Sequence, residues 1–434
     1  KNKMDDEKED KKQPVGLEYN LEEAINTIGF GSGQLVVLVV AGCVFAADAM
    51  EILLISFILP YVEDEFDLNQ WESSLLASSV FVGMLAGALP TGILSDKFGR
   101  KRIIRIWTII GILFASISAI ANSYIVMLIT RCAVGFSIAG ASHLSFSLFA
   151  ECVPSDDRGF WMMIFTTLWA FGSVAEALLA WAILPNYGWR WLVAATVLPL
   201  VFSFFGFSLI RESPKYYIAS DRLDKAMYTL EQLASRNKKD LPEGTLVPAN
   251  SSAEEHSLGN PKDLVPNRTY AELTFLVTCI WMLTSFIYYG VILLTPSYLS
   301  ESLYLGSVLS ALSEFPGYIG AGLVLDKIGR IPTMCISFLL CGLAFVVSTF
   351  PVGFIVGIIA TMVSRGSIAA SFNAIWIYTP EAYPTRVRAT ALGFGSSMAR
   401  VAGIITPFVA NGLIKVNYFI PFVIYVLANI LGFV

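Results

Sequence analysis

Seven ionisable side chains fall inside long apolar runs: Asp48, Glu51, Glu176, Glu314, Arg131, Arg365 and Arg400. Each costs at least a few kcal/mol in hydrocarbon, so such a residue faces the interior of a helix bundle and by default marks a functional site. Asp48 and Glu51 are three residues apart and project from one helix face. A buried carboxylate near an arginine can take up a proton when the two separate, since the cation favours the charged form and burial disfavours it. Within Ser396-Ser-Met-Ala-Arg400, the guanidinium can hold a carboxylate in bidentate geometry; its alternative role is to pair with Glu176 or Glu314. Tyr288 and Tyr289, with Trp169 and Phe286, are of the type that stacks on a flat ring, and equally of the type that packs a bundle.

The elements that must position these residues follow from composition. Of 434 residues, 55% are hydrophobic and 15% charged, with a mean hydropathy of +0.65, against about a quarter charged in a soluble domain. Apolar runs of spanning length recur near 35–59, 73–95, 103–122, 125–150, 160–184 and 190–210, and again near 271–296, 305–325, 331–350, 352–379, 389–412 and 417–434. The expected fold is therefore an all-α polytopic membrane protein of twelve transmembrane helices in two six-helix bundles. The expected organisation is a tail and surface helix (1–34), an N-terminal bundle (35–210), a linker with an amphipathic helix (211–270) and a C-terminal bundle (271–434). In the linker, Ser220 precedes a segment whose Leu223, Ala226, Leu230 and Leu233 share one face, read as a solvated surface helix. The segment from Leu21 to Ile28 is expected to lie along the membrane surface.

Lysine and arginine are retained on the cytoplasmic side. With both termini inside, all but five of the 29 basic residues are cytoplasmic: Arg190 and Lys415 fall outside, and Arg131, Arg365 and Arg400 within spans. The sequons at Asn250 and Asn267 then lie inside and are expected to stay unglycosylated. The six cysteines lie in or at the ends of spans and are expected to be reduced. No basic stripe with interleaved aromatics points to nucleic acid, and two histidines without zinc-type spacing exclude a zinc enzyme. Neither a P-loop, a dinucleotide fingerprint nor a Ser-His-Asp arrangement is present, so no enzyme, no cofactor and no ATP-driven step is expected. The chain opens at Lys1 with no cleavable signal peptide and stops at Val434 inside an apolar run, as a fragment would.

The chain repeats itself at an offset of 230. Gly92-Ile-Leu-Ser-Asp96-Lys-Phe-Gly99-Arg100 recurs as Gly322-Leu-Val-Leu-Asp326-Lys-Ile-Gly329-Arg330, and Glu151-Cys-Val-Pro154-Ser-Asp-Asp-Arg158 as Glu381-Ala-Tyr-Pro384-Thr-Arg-Val-Arg388. Parallel repeats of six spans joined by a linker are how rocker-type secondary transporters are built, with the binding site at the midplane between the halves. Gly92 and Gly99 are expected to allow close helix approach and a tight loop, while Asp96, Arg100, Glu151 and Arg158, with Asp326, Gly329, Arg330, Glu381 and Arg388, form gating networks that break as the halves rock. The same offset pairs His143 with Asn373.

These paired GxLxDxxGR motifs, with Arg131-Cys-Ala-Val-Gly135, Glu212-Ser-Pro214 and Tyr378-Thr-Pro-Glu381-Ala-Tyr-Pro384-Thr, resemble the major facilitator superfamily in its sugar-porter-related branch. Asp48-Ala-Met-Glu51, Gly188-Trp-Arg-Trp191, Tyr288-Tyr-Gly290, Ser313-Glu-Phe-Pro-Gly317 and Met398-Ala-Arg400 are similar to synaptic-vesicle-two-related proteins and eukaryotic nicotinate transporters. The resemblance implies that Asp48 is the protonatable acid with Arg131 as its partner, a fixed structural pair being the alternative. It also implies that His143 and Asn373 line the central cavity.

The expected activity is secondary-active transport of a small organic ion, an aromatic monocarboxylate of the nicotinate type, with a proton. In this reading Arg400 holds the carboxylate, Tyr288, Tyr289 and Trp169 meet the ring, and Glu51, Glu176 and Glu314 shape the cavity. Two alternatives stand beside it: an organic cation transporter, in which the acids become ligands, and a vesicle or trafficking protein that keeps the fold and acts by binding. The expected partners are the substrate, the proton and the bilayer, with the protein a monomer in the plasma membrane or an intracellular vesicle membrane.

Overall fold

The computed structural model describes residues 18–247, 264–298, 303–350, 353–384 and 387–434. Asn250 and most of the polar end of the linker lie outside these residues, as does the charged tail before residue 18.

A short strand β1 (Glu18–Tyr19) and helix α1 (Leu21–Ile28) precede the N-terminal half, which runs α2 (Ser32–Phe66), α3 (Gln70–Phe98), α4 (Arg100–Ala119), α5 (Tyr124–Ala150), α6 (Arg158–Tyr187) and the pair α7 (Trp189–Thr196) and α8 (Leu198–Gly206). The linker carries α9 (Pro214–Ala219), α10 (Leu223–Asn237) and β2 (Thr245–Leu246). The C-terminal half follows as α11 (Arg268–Tyr298), the pair α12 (Leu303–Leu312) and α13 (Glu314–Ile328), α14 (Arg330–Thr349), α15 (Phe354–Ala382), α16 (Arg388–Pro407) and α17 (Phe419–Phe433). Among the described residues, ten helices are long and apolar enough to cross a membrane. The eleventh position is α3, bent by 42° at Pro90, where the ring removes a helical donor. The twelfth is the shorter apolar α17. The expected twelve-helix, two-bundle architecture is present.

Two spans are broken where the sequence removes backbone donors. Pro199 lies in the first turn of α8, just after the break at Val197. Pro316 cannot bond the carbonyl of Leu312, and the chain breaks at Ser313, leaving Glu314 in the first turn of α13. A helix N-terminus carries partial positive charge, which favours an acid at that point.

Helix α10 keeps a solvated polar face, but its apolar face is covered by α1. Ala226, Leu230 and Ala234 of α10 pack against Ala24, Ile25 and Ile28 of α1, with Tyr19 and Leu246 of the parallel β1·β2 pair sealing the edge. The apolar face of α1 is therefore spent on α10 and not on a bilayer. Ser220 ends α9 and does not cap α10, which starts after Arg222. Asn237, at the end of α10, donates to Gln34 Oε1 at 2.7 Å and accepts from the Gly33 amide at 2.9 Å, tying the linker to the start of α2. Glu212 caps α4 by accepting the Lys101 amide at 2.9 Å, and Asn267 caps α11 by accepting the Tyr270 amide.

Candidate functional site

Four side chains from four helices meet between the halves: Asp48 on α2 and His143 on α5 from the N-terminal half, Tyr289 on α11 and Arg400 on α16 from the C-terminal half. Arg400 Nη1 donates to the carbonyl and the hydroxyl of Ser396, both at 2.7 Å. Its Nη2 lies 3.1 Å from His143 Nε2. The other ring nitrogen, Nδ1, is 2.7 Å from the Ala139 carbonyl, and this geometry suits the neutral tautomer that donates from Nδ1 and accepts at Nε2. Asp48 accepts the Ser142 hydroxyl at 2.6 Å on one oxygen and has no hydrogen bond on the other. It is near enough to act on Arg400 through space, yet beyond ion-pair distance. Arg400 Nε is also unpartnered. Tyr289 stacks obliquely on Phe81, ring centroids 4.7 Å apart.

The expected pairing of Asp48 with Arg131 is corrected by this geometry. Arg131 Nη1 is 2.7 Å from Glu51 Oε2, and Nη2 bonds the Ser118 hydroxyl. The helices α2 and α5 are antiparallel, so Arg131, near the far end of α5, meets Glu51 one turn beyond Asp48. Glu176 lies near this pair with both carboxylate oxygens buried and unbonded. Nor does Arg400 pair with Glu176 or Glu314.

A third cluster joins the halves. Trp169 Nε1 on α6 donates to the Tyr288 hydroxyl at 2.7 Å, Tyr288 donates to Glu314 Oε1 at 2.7 Å, and Arg365 Nε reaches the same oxygen at 2.8 Å. The Tyr288 hydroxyl is thereby committed to structure, leaving Tyr289 as the tyrosine of the pair that faces Asp48 and Arg400. Phe286 turns away from the site onto Tyr425 of α17, with centroids 4.8 Å apart. Gly290 is required here, because an added Cβ would overlap the Tyr425 ring.

Sequence reasoning missed an aromatic layer on the linker side of the site. Phe146 and Trp376 face each other across the halves at 6.2 Å, Trp376 also lies 6.1 Å from His143, and Phe45 contacts Phe146 at 6.4 Å and Trp169 at 5.4 Å. The signal was present: the offset that pairs His143 with Asn373 also pairs Phe146 with Trp376. Asn373 is half-buried one turn from Trp376, with no side-chain partner among the described residues.

Towards the linker, the two repeated motifs fold identically. Arg100 meets Asp96 at 3.2 Å and Glu151 at 3.4 Å; Arg330 meets Asp326 at 3.1 Å and Glu381 at 2.9 Å. Gly99 and Gly329 take φ of +98° and +94°, a region that favours glycine, and so make the tight turns. Gly92 has nothing within 4 Å of an added Cβ, so the expected close helix approach is absent there. Arg158 leaves the network for Glu22 at 3.5 Å, and Arg388 bonds the Tyr383 carbonyl. Cys152 is buried beside Glu151; burial and the nearby Glu151 and Glu212 push its thiol up to about 12.

On the opposite face the halves are clasped. Ser78 donates to the Ile404 carbonyl at 2.7 Å and Ser74 to that of Pro407 at 3.4 Å, and Lys415 spans to Glu63 at 2.8 Å. Arg190, the other basic residue on this face, pairs with Glu65. No group of three or more His, Cys, Asp or Glu placed to hold a metal ion occurs among the described residues.

This arrangement gathers ionisable side chains from both halves around one site, and the chain resembles known proteins over most of its length. A family model described as Major Facilitator Superfamily matches residues 37–407. The chain is 32% identical to the synaptic vesicle 2-related protein of Pongo abelii, over 95% of this chain and 79% of the relative. It is 32% identical to organic cation/carnitine transporter 7 of Arabidopsis thaliana, over 91% of this chain and 89% of the relative. In structure it resembles the partially occluded, inward-open xylose transporter XylE from E. coli, with a TM-score of 0.75 at 18% identity, covering 93% and 96% of the two chains. A multi-pass helical fold of two repeated halves, a charged site between them and a matching family model over most of its length place this chain in the major facilitator superfamily of membrane transporters.

Proposed function

We propose that the protein carries a small organic anion, an aromatic monocarboxylate such as nicotinate, together with a proton, by alternating access. The observation that carries this reading is Arg400. Arg131 and Arg365 are each neutralised by a carboxylate, whereas Arg400 is held by a serine and a neutral histidine and has no ion-pair partner among the described residues. An unneutralised guanidinium at membrane depth is costly, and a substrate carboxylate removes that cost. Tyr289, Phe81 and Trp376 offer ring faces nearby for a flat substrate.

Proton coupling follows from Asp48 facing Arg400 and not Arg131. When a substrate carboxylate takes the guanidinium, Asp48 loses the cation that favours its ionised form, and a proton then neutralises the second negative charge. The charge clusters on the linker face serve as latches, each closed within its own half in this state, while the opposite face is shut by the Ser74 and Ser78 clasp. We place the linker face and both termini on the cytoplasmic side from the distribution of basic residues.

Uptake of labelled nicotinate into proteoliposomes under an imposed pH gradient tests the reading. The expected result is concentrative uptake that Arg400→Gln abolishes. A second reading is favoured by the unpartnered Asp48 oxygen and the Arabidopsis relative: an organic cation bound by Asp48, with Arg400 structural. Uptake of carnitine or a quaternary ammonium ion in place of nicotinate, surviving in Arg400→Gln, decides for it and against the first.

A further inference from the structure

A cavity of about 850 Å³ lies at the linker-side boundary of the N-terminal half, away from the central site. It opens between the end of α3, the first turns of α4, the end of α8 and the linker helices α9 and α10. Its wall carries Lys97, Lys101, Arg102 and Arg105, with Arg211, Arg222 and Lys225 contributed by the linker. The single carboxylate there, Glu212, accepts from the Lys101 and Arg102 amides, and the Lys101 ammonium donates to the Ile210 carbonyl at 2.7 Å, so one negative charge stands against seven positive ones. None of the seven basic residues is in an ion pair among the described residues.

Two observations separate this cavity from charge that merely sets topology. First, the C-terminal copy of the motif does without it: the positions of Lys101, Arg102 and Arg105 are occupied at the 230 offset by Ile331, Pro332 and Cys335, although that copy makes the same turn and the same Asp-Arg-Glu cluster. The gating turn therefore does not require these cations. Second, the cavity continues into an apolar wall of Ile106, Ile109 and Phe204, which runs on into exposed Leu113, Phe202 and Phe205 on the outer surface of α4 and α8. A strongly cationic cup on an apolar wall matches a molecule with an anionic head and an acyl tail.

We propose that this cavity binds a multiply phosphorylated anion, presented as the headgroup of a membrane lipid. The cations converge from α3, α4 and the linker, so the bound headgroup bridges the linker to the N-terminal half. The inference is independent of what the central site binds.

Native mass spectrometry of the purified full chain, offered phosphatidylinositol 4,5-bisphosphate against phosphatidylcholine, tests it, with calorimetry of soluble inositol 1,4,5-trisphosphate as the second arm. The expected result is one retained phosphoinositide, a loss of affinity of about tenfold or more in Lys101→Gln/Arg105→Gln, and no change in Lys215→Gln, whose side chain lies outside the cavity. The double variant is accepted only if it elutes and melts as the parent does; if it does not, Arg222→Gln/Lys225→Gln on the linker rim replaces it. Unchanged lipid binding in the folded variant overturns the site, and soluble trisphosphate binding as tightly as the lipid overturns the assignment to a lipid.

Discussion

Trp169 donates its indole hydrogen to the Tyr288 hydroxyl at 2.7 Å, and with that bond a helix of the N-terminal half is joined to the Glu314–Arg365 pair of the C-terminal half. The bond joins the halves beside the site, so under the proposed alternating access it would form in one state and break in the other. One neutral hydrogen bond contributes about 1 kcal/mol. Trp169→Phe keeps an aromatic ring, smaller than the indole, and removes the donor. It is expected to shift the equilibrium between the two access states by roughly fivefold, read by cysteine accessibility on each face, with substrate affinity in a fixed state unchanged.

Glu51 and Arg131 are both buried, 2.7 Å apart. Removing one partner of such a pair costs about 3–5 kcal/mol, whereas replacing both with apolar residues costs far less. Thermal unfolding in detergent is expected to show a large loss for Arg131→Met and a partial recovery in Glu51→Leu/Arg131→Met. Additive losses would remove the pair as a structural unit.

Asp48→Asn is expected to abolish accumulation driven by a pH gradient while leaving substrate exchange intact, because the variant is fixed in the neutral form. Counterflow and gradient-driven uptake measured on one preparation check this. Concentrative uptake persisting in the variant removes Asp48 from coupling.

The Cys152 thiol, held up to about 12 by burial and the neighbouring acids, stays neutral at physiological pH and is expected to resist maleimide. In an unfolded chain this thiol ionises at its ordinary value of 9.0. Between these two values the folded state holds more protons, so its contribution to stability is present below about pH 9 and declines as pH rises towards 12. Labelling that accelerates during turnover reports breakage of the Arg100–Glu151 cluster, which lies against it; a constant rate contradicts that latch opening.

The architecture was legible because two signals in the chain are long-range and redundant: apolar runs sized to a bilayer, and a repeat at one fixed offset. The same repeat singled out the residues of the motif clusters but not their pairing: Arg100 meets Glu151 and Arg330 meets Glu381, while Arg158 and Arg388, expected in the same networks, bond elsewhere. Partnership within the membrane was not. Spacing places Asp48 and Glu51 on one face of α2, but which of them Arg131 reaches depends on the relative height of two antiparallel helices, and no local pattern encodes that. Tyr288 and Tyr289 are adjacent in sequence yet differ in role, one bonded into the Glu314 cluster and the other facing the site, because adjacent helical residues point about 100° apart. Amphipathic α1 and α10 each read as surface helices since neither sequence names the other as its cover.

The bolting of the linker has a mechanical corollary. Asn237 is fastened to α2, Glu212 to α4, and Asn26 of α1 to Ser155 ahead of α6 at 2.7 Å. Residues 18–247 are thus tied together as a single chassis, larger than the C-terminal bundle. A distance probe from α10 to α4 should stay constant through the cycle, and one from α10 to α14 should record the whole stroke.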